Sequence, residues 1–148
     1  MLYKVIDVKQ QDYLELIELW EESVRATHDF LPEQEIQRLK TLILTKYFAA
    51  VLLKCIKKLD GKIIGFSGVA DHKLEMLFVA PSEQGQGVGS VLCRYAIQHQ
   101  AATKVDVNEQ NPRARAFYEK MGFTIASRSE FDEQGKPFPI LHMEIKIL

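Results

Sequence analysis

Three glycines at alternating positions, Gly85, Gly87 and Gly89, lie between strand-forming and helix-forming residues. The full run is Gln84-Gly85-Gln86-Gly87-Val88-Gly89-Ser90. The first turn of a helix carries unpaired N–H groups and the positive end of the helix dipole, so it attracts anions. Glycine lets the main chain approach such an anion and take a positive φ. A phosphate group is the ligand these residues predict; a plain tight strand-to-helix turn is the alternative. A nucleoside-triphosphate loop ends in Gly-Lys-Ser/Thr, and Gly89-Ser90 has no lysine. The dinucleotide fingerprint is G-x-G-x-x-G, whereas the spacing here is G-x-G-x-G. Glu109 does lie about 20 residues on, where that fingerprint has its ribose acid. The loop follows the third predicted strand of a 148-residue chain, which leaves too little for a second mononucleotide half.

The elements that must position this loop are legible from periodicity. Asp12 and Glu15 have the form of a capping box. Tyr13, Leu16, Ile17, Trp20 and Val24 follow at helical spacing. Pro32 suits the first position of a second helix, with Ile36, Leu39, Leu42 and Ile43 as its apolar face. Strands are predicted at 51–56 and 63–69, joined by an Asp60-Gly61 turn, and at 74–79, stopped by Pro81. A helix at 88–98, a strand at 103–107 and a helix at 112–121 follow, the last ended by Gly122 at C′. Strands at 123–129 and 140–147, joined across Gly135-Lys136-Pro137, complete the order ααβββαβαββ. The class is α+β around a mixed sheet.

Composition bounds the function. Of the residues, 47% are hydrophobic and 26% charged, the proportions of one ordinary globular domain spanning 1–148. A domain of this size buries roughly 70% of its unfolded surface and needs no metal or disulfide to hold its core. Nineteen Lys and Arg against 20 Asp and Glu give a net charge of -1, without the basic footprint of a nucleic-acid binder. The longest apolar run, 47–53, is far short of the roughly 20 residues of a membrane helix. Cys55 and Cys93 share no ligand spacing and read as buried free thiols. With no signal-like segment at the start, a cytoplasmic protein is expected.

The loop resembles a family signature. Gln84-x-x-Gly87-x-Gly89 matches the (Q/R)-x-x-G-x-(G/A) motif of the GCN5-related N-acetyltransferases. Asn108, followed by Asn111-x-x-Ala114-x-x-Phe117-Tyr118-x-x-x-Gly122-Phe123, is similar to a second segment of that family. Leu77-Phe78-Val79-x-Pro81 fits the strand before the loop. The resemblance covers residues 50–147 well, and the first two helices by topology. Thr27-His28-x-Phe30-Leu31 and Gly135-Lys136-Pro137-Phe138-Pro139 also look like a small subgroup of bacterial acetyltransferases. It implies the acyl-CoA N-acyltransferase fold, with a mixed, mostly antiparallel sheet flanked by helices. It implies acetyl-CoA as cosubstrate, no metal, and direct attack of a primary amine on the thioester. The acceptor would be a small molecule or a peptide, and the protein a monomer or homodimer without nucleic-acid or membrane partners.

The resemblance also implies roles. Residues Gln84, Gly85, Gln86, Gly87, Val88, Gly89 and Ser90 would hold the CoA pyrophosphate through main-chain N–H groups. Leu77, Phe78 and Val79 would pair with pantetheine as an added strand does, with the Leu77 N–H polarising the thioester carbonyl. Asn111 would contact CoA by its side chain, Ala114 would let the helix approach, and Phe117 and Asn108 would flank the cofactor. Tyr118 is the catalytic candidate, because a departing thiolate needs a proton and a phenol holds one at neutral pH. Glu75, read as sharing pleat parity with Leu77 and Val79, is the candidate base for the amine. His28, Phe30 and His72 are candidates for the acceptor side, although a surface or capping role is the commoner reading of such histidines. A non-catalytic CoA-binding module is the competing reading, and a different nucleotide binder a third.

Overall fold

A computed structural model describes residues 3–27 and 31–146. Its strands are β1 (Val5–Asp7), β2 (Leu52–Lys57), β3 (Ile63–Ala70), β4 (Lys73–Val79), β5 (Lys104–Asn108), β6 (Thr124–Ser129) and β7 (Ile140–Glu144). The helices are α1 (Tyr13–Thr27), α2 (Glu33–Leu42), α3 (Phe48–Ala50), α4 (Val88–Gln100) and α5 (Pro112–Lys120). A π-helical turn, Ile43–Tyr47, links α2 to α3. The seven strands form one sheet in the order β1-β2-β3-β4-β5-β7-β6. Every neighbouring pair is antiparallel except β4 and β5.

The two faces of the sheet bury different helices. Leu16, Ile17 and Trp20 of α1, Ile36 of α2 and Phe48 of α3 close over Phe66, Met76 and Phe78. On the other side Val88 and Leu92 of α4 pack on Ile56 and Ile64. Cys93 and Ala96 of α4 join Val69, Leu74 and Val105, with Phe117 and Tyr118 of α5 alongside. The tight fit of α4 depends on Gly65: a Cβ there would fall 2.6 Å from the Val88 Cγ1.

The predicted α+β class and mixed sheet stand, with two local corrections. β1 was not predicted; it adds an edge strand, pairing Ile6 with Cys55. Three residues ending in Asp7 are too short to show an alternation. The capping box is also shifted. The Asp12 carboxylate accepts from the Lys9 main-chain N–H at 2.9 Å. Glu15 instead accepts from the Ile63 N–H of β3 at 2.7 Å, fastening α1 to the sheet.

Candidate active site

The site begins with an irregularity in β4. Gly68 pairs with Met76 and Val69 with Leu74, so Glu75 is an extra residue with no partner across the ladder. Such a bulge re-aims the side chains beyond it. The expected shared parity of Glu75 with Leu77 and Val79 is therefore corrected. Leu77 and Val79 pack on the α4 side with Val88. Glu75 opens on the opposite face into a cavity of about 600 Å3, walled by Leu31, Leu39, Phe138 and Ile140. Parallel pairing of β4 with β5 lasts for only two pairs, Lys73 with Lys104 and Leu74 with Val105. Past Glu75 the two strands diverge, and the β5-side edge of residues 76–79 is left without a ladder partner.

The glycine loop stands at the end of that gap. Gln84 donates its side-chain amide to the Val79 carbonyl at 3.3 Å, tying the loop to the strand. Gly85 and Gly87 take φ of +78° and +87°. A Cβ on either would meet nothing within 4 Å, so their surroundings are open. Gly87 caps α4, and the first bond α4 makes within itself runs from the Val91 N–H to the Gly87 carbonyl. The N–H groups of Val88, Gly89 and Ser90 precede that bond and lie free for an anion. The Val88 side chain is buried in the core, so only its main chain faces the loop. Gly89 lies where a Cβ would come 3.5 Å from Val79 and 3.8 Å from Phe117, across the mouth of the gap. Open space, free N–H groups and a strand edge without a partner together fit a pyrophosphate followed by an extended amide arm.

On the far side of the gap, α5 starts at Asn111. Its side-chain oxygen accepts from the Ala114 N–H at 3.1 Å, a helix cap. One lone pair of that oxygen is therefore used by the cap, and its other lone pair and the amide NH2 remain for the contact with CoA that was expected of it. Asn108 likewise turns inward, accepting from the Gln110 N–H at 2.8 Å, and it lines the cavity of Glu75 rather than the loop. The Tyr118 ring meets Phe117 and Phe123 edge-on, with centroids 5.1 and 5.7 Å away. Burial, with the Cys93 thiol adding, pushes the Tyr118 phenol well above its ordinary value. Burial also pushes the Cys93 thiol up to about 12.

The remaining candidates separate. His72 sits in the β3–β4 turn at φ +64°, its Nδ1 3.1 Å from the Ala101 carbonyl, and does not line the cavity. His28 and Phe30 lie outside the described residues. Among the described residues no group of three or more His, Cys, Asp and Glu could hold a metal ion. No described helix is long and apolar enough to cross a membrane.

Three polar residues at the cavity floor and beneath it were not anticipated. Lys73 Nζ donates to Asp106 at 2.6 Å, and Asp106 bonds His142 Nδ1 at 2.8 Å. Alternation marks β5 as polar on one face at Lys104, Asp106 and Asn108. The partners come from β4 and β7, whose register with β5 no local pattern encodes. Glu75 feels these charges: burial raises its carboxyl above the usual 4.5, Lys73 works against that, and Glu133 and Asp106 add to it.

Fold and site together define a GNAT-type acyltransferase. Residues 52–125 match the family model for the acetyltransferase (GNAT) domain. The chain belongs to this family, and it is an acetyl-CoA-dependent N-acetyltransferase. It is 34% identical over 143 residues to the peptidyl-lysine N-acetyltransferase YjaB of Salmonella typhimurium, covering 97% of this chain and 98% of that protein. The solution structure of apo YjaB from Escherichia coli superposes with a TM-score of 0.82 at 33% identity, over 97% of both chains. The PaiA N-acetyltransferase of Thermoplasma acidophilum, solved with coenzyme A, shares the fold with a TM-score of 0.75 at 21% identity, over 99% of this chain and 100% of that one.

Proposed function

We propose that the acceptor is the side-chain amine of a lysine in a peptide or protein, and that the amine attacks the thioester directly. The observation that carries this reading is the cavity beside Glu75. Leu31, Leu39 and Phe138 offer apolar walls for a four-carbon stem, and the floor offers a carboxylate for the ammonium at its end. The naming of the YjaB relatives as peptidyl-lysine N-acetyltransferases supports the same acceptor. The two free thiols, Cys55 and Cys93, support a cytoplasmic setting, and the continuous sheet supports a single domain.

Acetyl-CoA supplies an activated acetyl thioester. The protein's own groups hold it and move protons. The glycine loop and the first turn of α4 bind the pyrophosphate, and the free edge of β4 pairs with the amide arm. The Leu77 N–H polarises the carbonyl. A lysine ammonium has an ordinary pKa of about 10.4 and must lose a proton before it can attack. Glu75 takes that proton, directly or through a water, and its raised value brings it closer to the working pH. The amine nitrogen then bonds to the acetyl carbon as the carbon–sulfur bond breaks, and the nitrogen gives up its second proton to water. The sulfur leaves into a site where burial penalises thiolates, as Cys93 shows. Tyr118, held protonated by the same burial, donates its hydrogen to that sulfur and is restored from solvent.

Thiol release from acetyl-CoA tests the acceptor. N-terminally blocked peptides with one lysine should be turned over, and the same peptides with arginine in its place should not. Turnover of free small amines with none on any lysine peptide would overturn the reading. Activity should also fall as pH drops through the Glu75 value. Because burial raises that value, the acidic limb should lie above 4.5, and Glu75→Gln should remove it.

A further inference from the structure

Beneath the acceptor cavity, one side chain from each of four strands joins a continuous polar chain. Lys73 of β4 donates to Asp106 Oδ2 of β5 at 2.6 Å. Asp106 Oδ1 meets His142 Nδ1 of β7 at 2.8 Å, and His142 Nε2 meets Ser129 Oγ of β6 at 2.7 Å. Burial raises the Asp106 carboxyl, but the bonds from Lys73 and His142 outweigh it and hold it below its ordinary value. An ionised Asp106 can only accept, so the His142 Nδ1–H donates to it, and the far ring nitrogen, Nε2, lies at hydrogen-bond distance from the Ser129 hydroxyl. The rest of the Lys73 ammonium faces the cavity, 3.7 Å from Glu75 Oε1 and 4.0 Å from Glu133 Oε1.

We propose that Lys73, anchored by Asp106, His142 and Ser129, is a positioning residue for the transfer: its ammonium tethers the Glu75 carboxylate at the cavity floor and balances its charge. The inference rests on Glu75 being the base. The bulge deprives Glu75 of a cross-strand neighbour, so a long side chain with three free torsions needs another restraint. Lys73 supplies it without capturing the carboxylate. Asp106 takes the short hydrogen bond, and Glu75 is left at 3.7 Å, beyond hydrogen-bond length. Asp106 thereby holds back a cation that would otherwise close on Glu75 and compete with the incoming lysine. The other charges lining the cavity are Glu35 of α2, itself tied to Arg38, and Asp132, Glu133 and Lys136 of the β6–β7 loop. Glu133 is 89% exposed, so Lys73 and Asp106 are the fixed neighbours of Glu75.

Carbon-13 NMR titration of the Glu75 carboxyl, identified by its loss in Glu75→Gln, tests the inference. Thermal unfolding checks each variant. Lys73→Met should raise the titration midpoint by about one pH unit, because a compensating cation is gone. Asp106→Asn should lower it, because Lys73 is released onto Glu75. Lys73→Arg should stay near the wild type. A loss of packing alone would not move the midpoint in opposite directions. With a blocked single-lysine peptide, Asp106→Asn should raise KM several-fold with a smaller change in kcat. A midpoint unmoved in both variants, or moved the same way in both, overturns the inference. If Lys73→Met does not fold, the downward shift in Asp106→Asn and the retention in Lys73→Arg decide it. Wild-type activity and pH profile in Glu75→Gln would overturn the base reading instead, and the NMR result would still stand.

Discussion

A phenol among Phe117, Phe123 and Cys93 has little reason to ionise, so Tyr118 keeps the hydrogen that its proposed role as donor requires. Tyr118→Phe keeps the ring packing and removes the hydrogen. It should lower kcat by about 100-fold, the ordinary worth of a general acid, with the Kd for CoA unchanged by calorimetry. His72 makes the opposite case. Its positive φ and its bond to Ala101 belong to a turn. His72→Asn, which tolerates that conformation, should leave kcat/KM within about twofold of the wild type. Residue types named both as candidates, but only position separated them. Tyr118 is carried by a helix whose cap and C′ glycine are written locally. His72 owes its place to the β3–β4 turn packing against the end of α4.

At the scale of elements, the proposed role of the loop is carried by its main chain, so side-chain changes should act by conformation. Gly87 has φ of +87° and caps α4. Gly87→Ala places a Cβ in open space, so the cost is backbone strain of about 1–2 kcal/mol. Relaxation of that strain would turn the N–H groups away, and CoA affinity should fall by about tenfold on titration calorimetry, equivalent to about 1.4 kcal/mol. Gly65 depends on space instead. A Cβ there would press on Val88 at 2.6 Å, Leu92 at 3.1 Å and the Phe78 carbonyl at 3.3 Å. Gly65→Ala should therefore destabilise the fold by about 1–3 kcal/mol in urea unfolding and push α4 from the sheet. The loop glycines were legible because they interrupt a strand-to-helix transition. The need for glycine at Gly65 was not, because the atoms that crowd it come from another element.

For the whole molecule, the proposed ligand site is a gap in the sheet. β4 and β5 part after two pairs, and a ligand that fills the gap links the two halves of the sheet. CoA at about 100 times its Kd should stabilise the folded state by about 2.7 kcal/mol. For a chain of this size that is a rise in Tm of roughly 5–10 °C. Scanning calorimetry with and without CoA measures it, and ATP or NAD at the same concentration should give a smaller shift. Tyr118→Phe should retain the CoA shift, which separates binding from chemistry.

The sequence by itself determined the elements and the chemistry each could carry. Periods of two and of 3.6 residues, an Asp-Gly turn, a proline stop and a C′ glycine are local signals, and the residues involved act on their own neighbours. The glycine loop was legible in this way; the roles of Tyr118 and Glu75 came from the resemblance of their segments to the acetyltransferase family. The tertiary structure decided which groups meet. The bulge at Glu75 moved its side chain to the face opposite Leu77, because an unpaired residue reverses the alternation on which parity depends. Register across β4, β5, β7 and β6 assembled Lys73, Asp106, His142 and Ser129, which lie up to 69 positions apart in the chain. Strand register is fixed by burial over the whole sheet, and no stretch of sequence contains it.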